Sequence, residues 1–312
     1  MAAPAPARPA LERFLAWWTP PAPAARLASV RVLVGVYVLG YFALRARHLA
    51  AVARLPEGQF RPVGLAALAP APLPAPLVYA SVAAAALAAV AFATGFRYRV
   101  TGPLFAALLL WVTSYRNSWG MIFHTDNLAV AHVLVLGLAP AADALSRDAG
   151  RRGGPPPPDG HRYGFPLRLL CLITVITYVL AGVAKVRNAG LGWAAGETLR
   201  IWIGIDNLRK MELGDLYSPL GFALLRHPWV FPPFAAYTLL VEFGAPLALL
   251  GGRPAKIWCW CAWLFHAGVL AFMGILFAYP LSGIAFAPFF GAERLTLGRR
   301  QPPDPPPPDV TP

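Results

Sequence analysis

Long blocks of apolar residues recur along this chain, separated by short connections rich in proline and arginine. Eight can be drawn, at about 27–44, 76–96, 100–113, 127–142, 165–185, 234–250, 257–277 and 280–290. A helix needs roughly 20 residues to cross the hydrocarbon core of a bilayer, and most of these blocks approach that length. The last is short, and Pro280 at its head suits half a helix. Inside a bilayer no water is present to satisfy backbone N–H and C=O groups, so a spanning segment must pair them internally, as a helix does. The expected fold is all-α: a polytopic integral membrane helical bundle of about eight apolar segments, the last one short.

Composition agrees. Only 13% of residues are charged, about half the share of a soluble domain, and mean hydropathy is +0.54. The net charge of +13 is spread through the connections rather than gathered on one soluble face. That pattern fits topological bias and contact with anionic membrane lipids, and it argues against nucleic acid as a partner. With both termini in the cytoplasm, Arg97, Arg99, Arg147, Arg151, Arg152, Arg253 and Lys256 fall on the cytoplasmic side. Arg45, Arg47, Arg54, Arg209 and Lys210 fall on the other. The expected location is the cell (inner) membrane.

Residues 1–25 form an Ala/Pro-rich N-terminal segment with a short amphipathic stretch at 11–18 and no cleavable leader. Residues 26–295 form the membrane domain, and 296–312 a disordered Pro-rich tail. The link at 147–158 is expected to be solvated and flexible. Residues 193–205 read as an amphipathic helix lying in the interface or re-entering it, with Trp193, Leu199 and Trp202 on one side. Cys259 and Cys261, two apart on a helix, point away from each other, so a small apolar role suits them better than a disulfide or a metal. No metal site is expected, because no His/Cys set has ligand spacing.

The informative residues are polar groups at membrane depth. On the fifth block Thr174, Tyr178, Ala181, Gly182 and Lys185 fall on one helical face, a polar or small stripe suited to a bundle interior. Glu242 lies among apolar residues on the sixth block and must be neutral or paired, and Lys185 is a candidate partner. His266 lies on the seventh block and His132 on the fourth. Two readings of Lys185 stay open: a group snorkelling to the interface, or half of a Lys–Glu pair that is either structural or functional. Asp126 or Asn127 can cap the fourth helix through its side chain, and Pro246 frees a carbonyl one turn earlier on the sixth.

The run Ala181-Gly-Val-Ala-Lys185 followed by Trp193-x-x-Gly196 resembles the A-G-x-x-K…W-x-x-G segment of the vitamin K-dependent γ-carboxylase membrane domain, called the HTTM (horizontally transferred transmembrane) domain. Glu242 with Pro246, Phe265-His266 with Met273-Gly-Ile-Leu-Phe277, and Asp126-Asn127 are similar to further segments of that family in the same order. The resemblance covers roughly residues 25–295. It implies that Lys185 is the candidate catalytic base acting on a reduced quinone of the vitamin K type, with Glu242 and His266 beside it. Tyr178, on the polar stripe, and Asn127 and Trp193, in the matching segments, are the expected cofactor-binding residues. To act as a base the lysine must be a free amine, which an apolar pocket favours and an ionised Glu242 opposes.

Two departures shape the expectation. Leu128 stands where the carboxylase has a functional His, so His124 or His132 could serve only if the fold brings one round. The carboxylase also continues into a large lumenal domain, and this chain stops after the membrane region. The expected function is binding of a quinone or isoprenoid lipid, with lysine-based quinol oxidation or epoxidation as the accompanying chemistry and no protein carboxylation. The partners are membrane lipids and a separate membrane or periplasmic protein. A transporter, or a non-catalytic scaffold locked by a Lys–Glu pair, are the alternatives.

Overall fold

The computed structural model describes residues 9–69, 71–155 and 157–296. Residues 1–8 and all but the first residue of the expected tail lie outside these. The elements are helical throughout: α1 Ala10–Trp18, α2 Ala24–Ala51, α3 Ala75–Thr94, α4 Tyr98–Asn117, α5 Asn127–Leu138, α6 Arg147–Arg152, α7 His161–Ala189, α8 Glu197–Glu212, α9 Pro219–Leu224, α10 Phe231–Phe243, α11 Gly252–Met273, α12 Ala278–Leu281 and α13 Glu293–Thr296. Among the described residues there is no strand, only an isolated antiparallel bridge between Ala22 and Gly160.

Four helices are long and apolar enough to cross a membrane: Ala24–Arg54, Ala75–Thr94, His161–Ala189 and Gly252–Met273. The other apolar blocks also fold as helix, but shorter or more polar. At about 1.5 Å per residue, the 12 residues of α5 fall well short of a hydrocarbon core. Helix α10 has 13 residues and passes after Gly244 into the 3₁₀ turn Ala245–Leu250, because Pro246 cannot continue an α-helical ladder. The last block is α12 followed by the 3₁₀ segment Ile284–Phe289.

The connections gather at two opposite ends of the bundle. At one end Asp148 accepts from the backbone N–H of Arg97 (2.8 Å) and Tyr98 (2.7 Å), and Arg26 pairs with Glu293 at 2.8 Å. This end also carries Arg99, Arg151, Arg152, Arg253 and Lys256. At the other, the Arg61 N–H donates to the Ser118 carbonyl (2.7 Å) and the Leu73 N–H to the Tyr115 hydroxyl (2.9 Å). The link at 147–158, expected to be flexible, instead contains α6. Its N-cap Ser146 accepts from Ala149 N–H at 2.9 Å, and Asp148 ties it to the start of α4.

Side-chain spacing explains the packing. On α2, Leu27, Val30, Val34, Val38 and Phe42 recur at three- and four-residue steps and are all buried, the stripe a helix turns toward its neighbours. Helices α4 and α5 touch through Gly102 and Gly137, where an added Cβ would sit 2.7 Å and 2.6 Å from the opposing carbonyl oxygens. Small residues permit such close approach where lipid supplies no hydrophobic drive between helices. One apolar core joins α2, α3, α4, α5 and the first half of α7. A second lies around Val175, Val241, Trp258, Ala262 and Phe286. Arg31 is fully buried in the first core and donates to the carbonyls of Phe92 (3.1 Å), Ala93 (3.1 Å) and Leu145 (2.5 Å). It thereby caps the end of α3 and ties it to the segment before α6. Sequence reading passes over this residue, because its acceptors are backbone groups far away along the chain.

Two further local expectations are corrected. Helix α5 receives no side-chain cap from Asp126 or Asn127: the chain enters it through the 3₁₀ turn His124–Asp126, whose helical backbone leaves no extended cap residue. Asp126 instead accepts from the Tyr41 hydroxyl at 2.9 Å. The amphipathic helix begins at Glu197, so Trp193 is not on its face. Trp193 turns inward and is buried, while Trp202 is exposed. The buried face of α8 is Ile203, Asn207 and Lys210, which hold the end of α11 through Asn207 to Phe272 O (2.9 Å) and Lys210 to Met273 O (2.5 Å).

Candidate functional site

The polar stripe of α7 faces the interior, and each member meets a specific neighbour. Thr174, fully buried, lies 3.0 Å from His132 Nε2. One turn later the Tyr178 hydroxyl shares a 2.8 Å hydrogen bond with His266 Nε2 of α11. At Gly182 an added Cβ would lie 3.1 Å from the Glu242 Cβ, so the missing side chain lets α10 close on α7. Beyond it, Lys185 Nζ donates to Glu242 Oε1.

Of these, Tyr178, Lys185, Glu242 and His266 line a cavity of about 170 Å³ between α5, α7, α10, α11 and α12. Its walls include His124, Leu128, Tyr178, Lys185, Glu242, Phe265, His266 and Phe277. An engineered apolar cavity of about 150 Å³ accepts a benzene ring, so the space is that of one aromatic ring. The ammonium of Lys185 lies 5.3 Å from the Trp193 ring centroid and 5.9 Å from that of Phe265, within cation–π range. Trp193 is fixed by its indole N–H, which donates to Thr238 at 3.0 Å. Where α10 breaks at Gly244, the Trp258 indole N–H takes the Val241 carbonyl at 2.9 Å, so this carbonyl is satisfied by a side chain.

Two buried atoms in the cavity wall lack a protein partner: Glu242 Oε2 and His266 Nδ1. We assign the Tyr178 hydroxyl, which meets no other acceptor among the described residues, as the donor to His266 Nε2. The second ring nitrogen, Nδ1, then carries the proton. The cavity wall thus holds one orphan acceptor and one orphan donor. An unpaired buried polar group costs about 1–3 kcal/mol, which a ligand bearing both a donor and an acceptor would recover.

Five of the six residues singled out from the sequence meet here: Lys185, Glu242, His266, Tyr178 and Trp193. Asn127 does not; it is exposed beside the cavity while its neighbour Leu128 lines it. Of the two alternative histidines, the fold brings His124 to the cavity and keeps His132 away, bonded to Tyr279 (2.8 Å) and Thr174 (3.0 Å). A second cavity of about 170 Å³, almost wholly apolar, lies under α8 between Leu199, Phe234, Tyr237 and Phe272. Phe265 lines both cavities. Sequence periodicity gave no sign of this second space, whose walls come from α8, α10 and α11. Among the described residues no group of three His, Cys, Asp or Glu side chains is placed to hold a metal. No family model, curated protein or solved structure matches the chain.

Proposed function

We propose that this chain is a multi-pass membrane protein of the HTTM class, built from about eight apolar segments of which the last is short, with both termini cytoplasmic, and that it binds a reduced isoprenoid quinone. The ring occupies the cavity beside Lys185, with one hydroxyl donating to Glu242 Oε2 and an oxygen accepting from His266 Nδ1. The observation that carries this reading is that pair of buried atoms without a protein partner, Glu242 Oε2 and His266 Nδ1, in the wall of a ring-sized space. The apolar cavity under α8, sharing Phe265, suits the isoprenoid tail. The arginine-rich end of the bundle supports a cytoplasmic placement for that end, which puts Lys185 toward the opposite side.

Lys185 is held as the ion-pair partner of Glu242, and that contact favours a binding and orienting role over base chemistry. The test is titration of purified protein in lipid nanodiscs with a reduced menaquinone analogue, followed by Trp fluorescence, since Trp193 packs on the lysine. Saturable quenching in wild type, abolished in Lys185→Met/Glu242→Leu, is the expected result. Absence of saturation in a folded wild-type sample would sink the proposal. Aerobic incubation of the same sample, with quinone epoxide read by mass spectrometry, reports whether any turnover accompanies binding.

A further inference from the structure

At the arginine-rich end of the bundle, remote from the quinone cavity, a wide groove of about 670 Å³ opens between α2, the start of α11 and the C-terminal 3₁₀ segment. Its polar rim carries Lys256 and Arg294, both exposed, and neither makes an ion pair among the described residues. The neighbouring carboxylate, Glu293, is already held by Arg26 through hydrogen bonds of 2.9 Å and 2.8 Å. The groove walls are Leu33, Ile284, Phe289 and Phe290, all partly buried. Helix α11 begins in the same groove at Gly252 and has no side-chain cap, so its positive end adds to the two cations.

Two exposed cations above an apolar wall, neither in a salt bridge among the described residues, match an amphiphile with an anionic head at the end of a membrane bundle. A small water-soluble anion would leave Leu33, Ile284 and the two phenylalanines uncovered. A zwitterionic lipid would bring its own cation against Lys256 and Arg294. Basic pockets between membrane helices on the cytoplasmic side are suited to anionic headgroups. We infer that this groove binds a phospholipid of net negative charge, its phosphate between Lys256 and Arg294 and an acyl chain along Leu33, Ile284 and Phe290. The inference does not depend on the quinone reading, because the two cavities share no residue.

Native mass spectrometry of the full chain, released from vesicles of mixed phosphatidylglycerol and phosphatidylcholine, tests it. Wild type should retain phosphatidylglycerol in preference to phosphatidylcholine. The Lys256→Ala/Arg294→Ala variant should lose roughly tenfold or more of that retention, from the two charges removed. Arg99→Ala/Arg147→Ala, which removes equal charge from the same end, should retain lipid like wild type, and Lys256→Arg should keep it too. Free glycerol phosphate in excess should not displace the lipid. Equal retention of both lipids, an equal loss in the Arg99/Arg147 control, or displacement by glycerol phosphate would each overturn the assignment.

Discussion

Helix α7 carries two buried polar clusters, and they differ in one respect. Around Thr174, both ring nitrogens of His132 are satisfied, Nδ1 by the Tyr279 hydroxyl and Nε2 by Thr174. Around Tyr178 and Lys185, Glu242 Oε2 and His266 Nδ1 have no partner, and a cavity lies against them. A polar network closed on itself specifies how helices pack, whereas an open one beside a cavity is poised for a ligand. Two histidines with the same look in the sequence thus separate into one with both ring nitrogens satisfied and one with Nδ1 left open once their partners are counted.

The sharpest way to break that comparison is to remove one half of the ion pair. Glu242→Leu leaves Lys185 without its counter-charge inside the bundle and should cost about 3–5 kcal/mol, read as a fall in thermal unfolding temperature in detergent. Lys185→Met/Glu242→Leu together should return to within about 1 kcal/mol of wild type, since a buried pair replaced by apolar groups is close to neutral. If the double variant stays as unstable as the single one, the pair does more than neutralise itself.

A smaller effect separates the two histidines. His132→Leu orphans the Tyr279 hydroxyl and should lower stability by about 1–3 kcal/mol while leaving quinone titration unchanged. His266→Leu should instead abolish or strongly weaken the titration. The same loss of binding in both variants would erase the distinction. Gly182→Val pushes a side chain against Glu242 and Phe243 and should cost about 1–3 kcal/mol by overpacking, weakening binding as α10 moves away.

The smallest effect lies outside the spans, at Glu293. Burial acts to raise its carboxyl, but the hydrogen bond from Arg26 and nearby positive charge outweigh it, so the group is held below its ordinary value of 4.5. A lowered carboxyl contributes stability that is fully present above that value and is lost as pH falls through the folded-state value. Wild type should therefore lose its advantage over Glu293→Gln below about pH 4.5. The difference above that pH is expected to be at most about 1 kcal/mol for a partly exposed pair. Thermal melts of both proteins between neutral and acidic pH check it.

Much of this was legible in the sequence, for identifiable reasons. Apolar block length marks where helix must form, and three- and four-residue spacing places Tyr178, Gly182 and Lys185 on one face. The cost of charge at membrane depth singles out Glu242 as the lysine's partner. What periodicity cannot show is the backbone's share in these contacts. Arg31 finds its acceptors at Phe92, Ala93 and Leu145, and Lys210 finds Met273, all main-chain carbonyls that carry no side-chain signal. Cap preferences do not reveal the entry to α5, where a 3₁₀ turn leads into the helix and frees Asp126 for Tyr41. Helical spacing does not place Trp193 either, because Gly196, at φ +83, redirects the chain just before α8 begins.

The most direct test is an unbiased lipid inventory of purified protein by mass spectrometry, comparing wild type, Lys185→Met/Glu242→Leu and His132→Leu. A quinone enriched over the host membrane in wild type and in His132→Leu, and absent from the double variant, is the result expected of an open polar cluster that binds a quinone. No enriched quinone in wild type, or equal enrichment in all three, would contradict it.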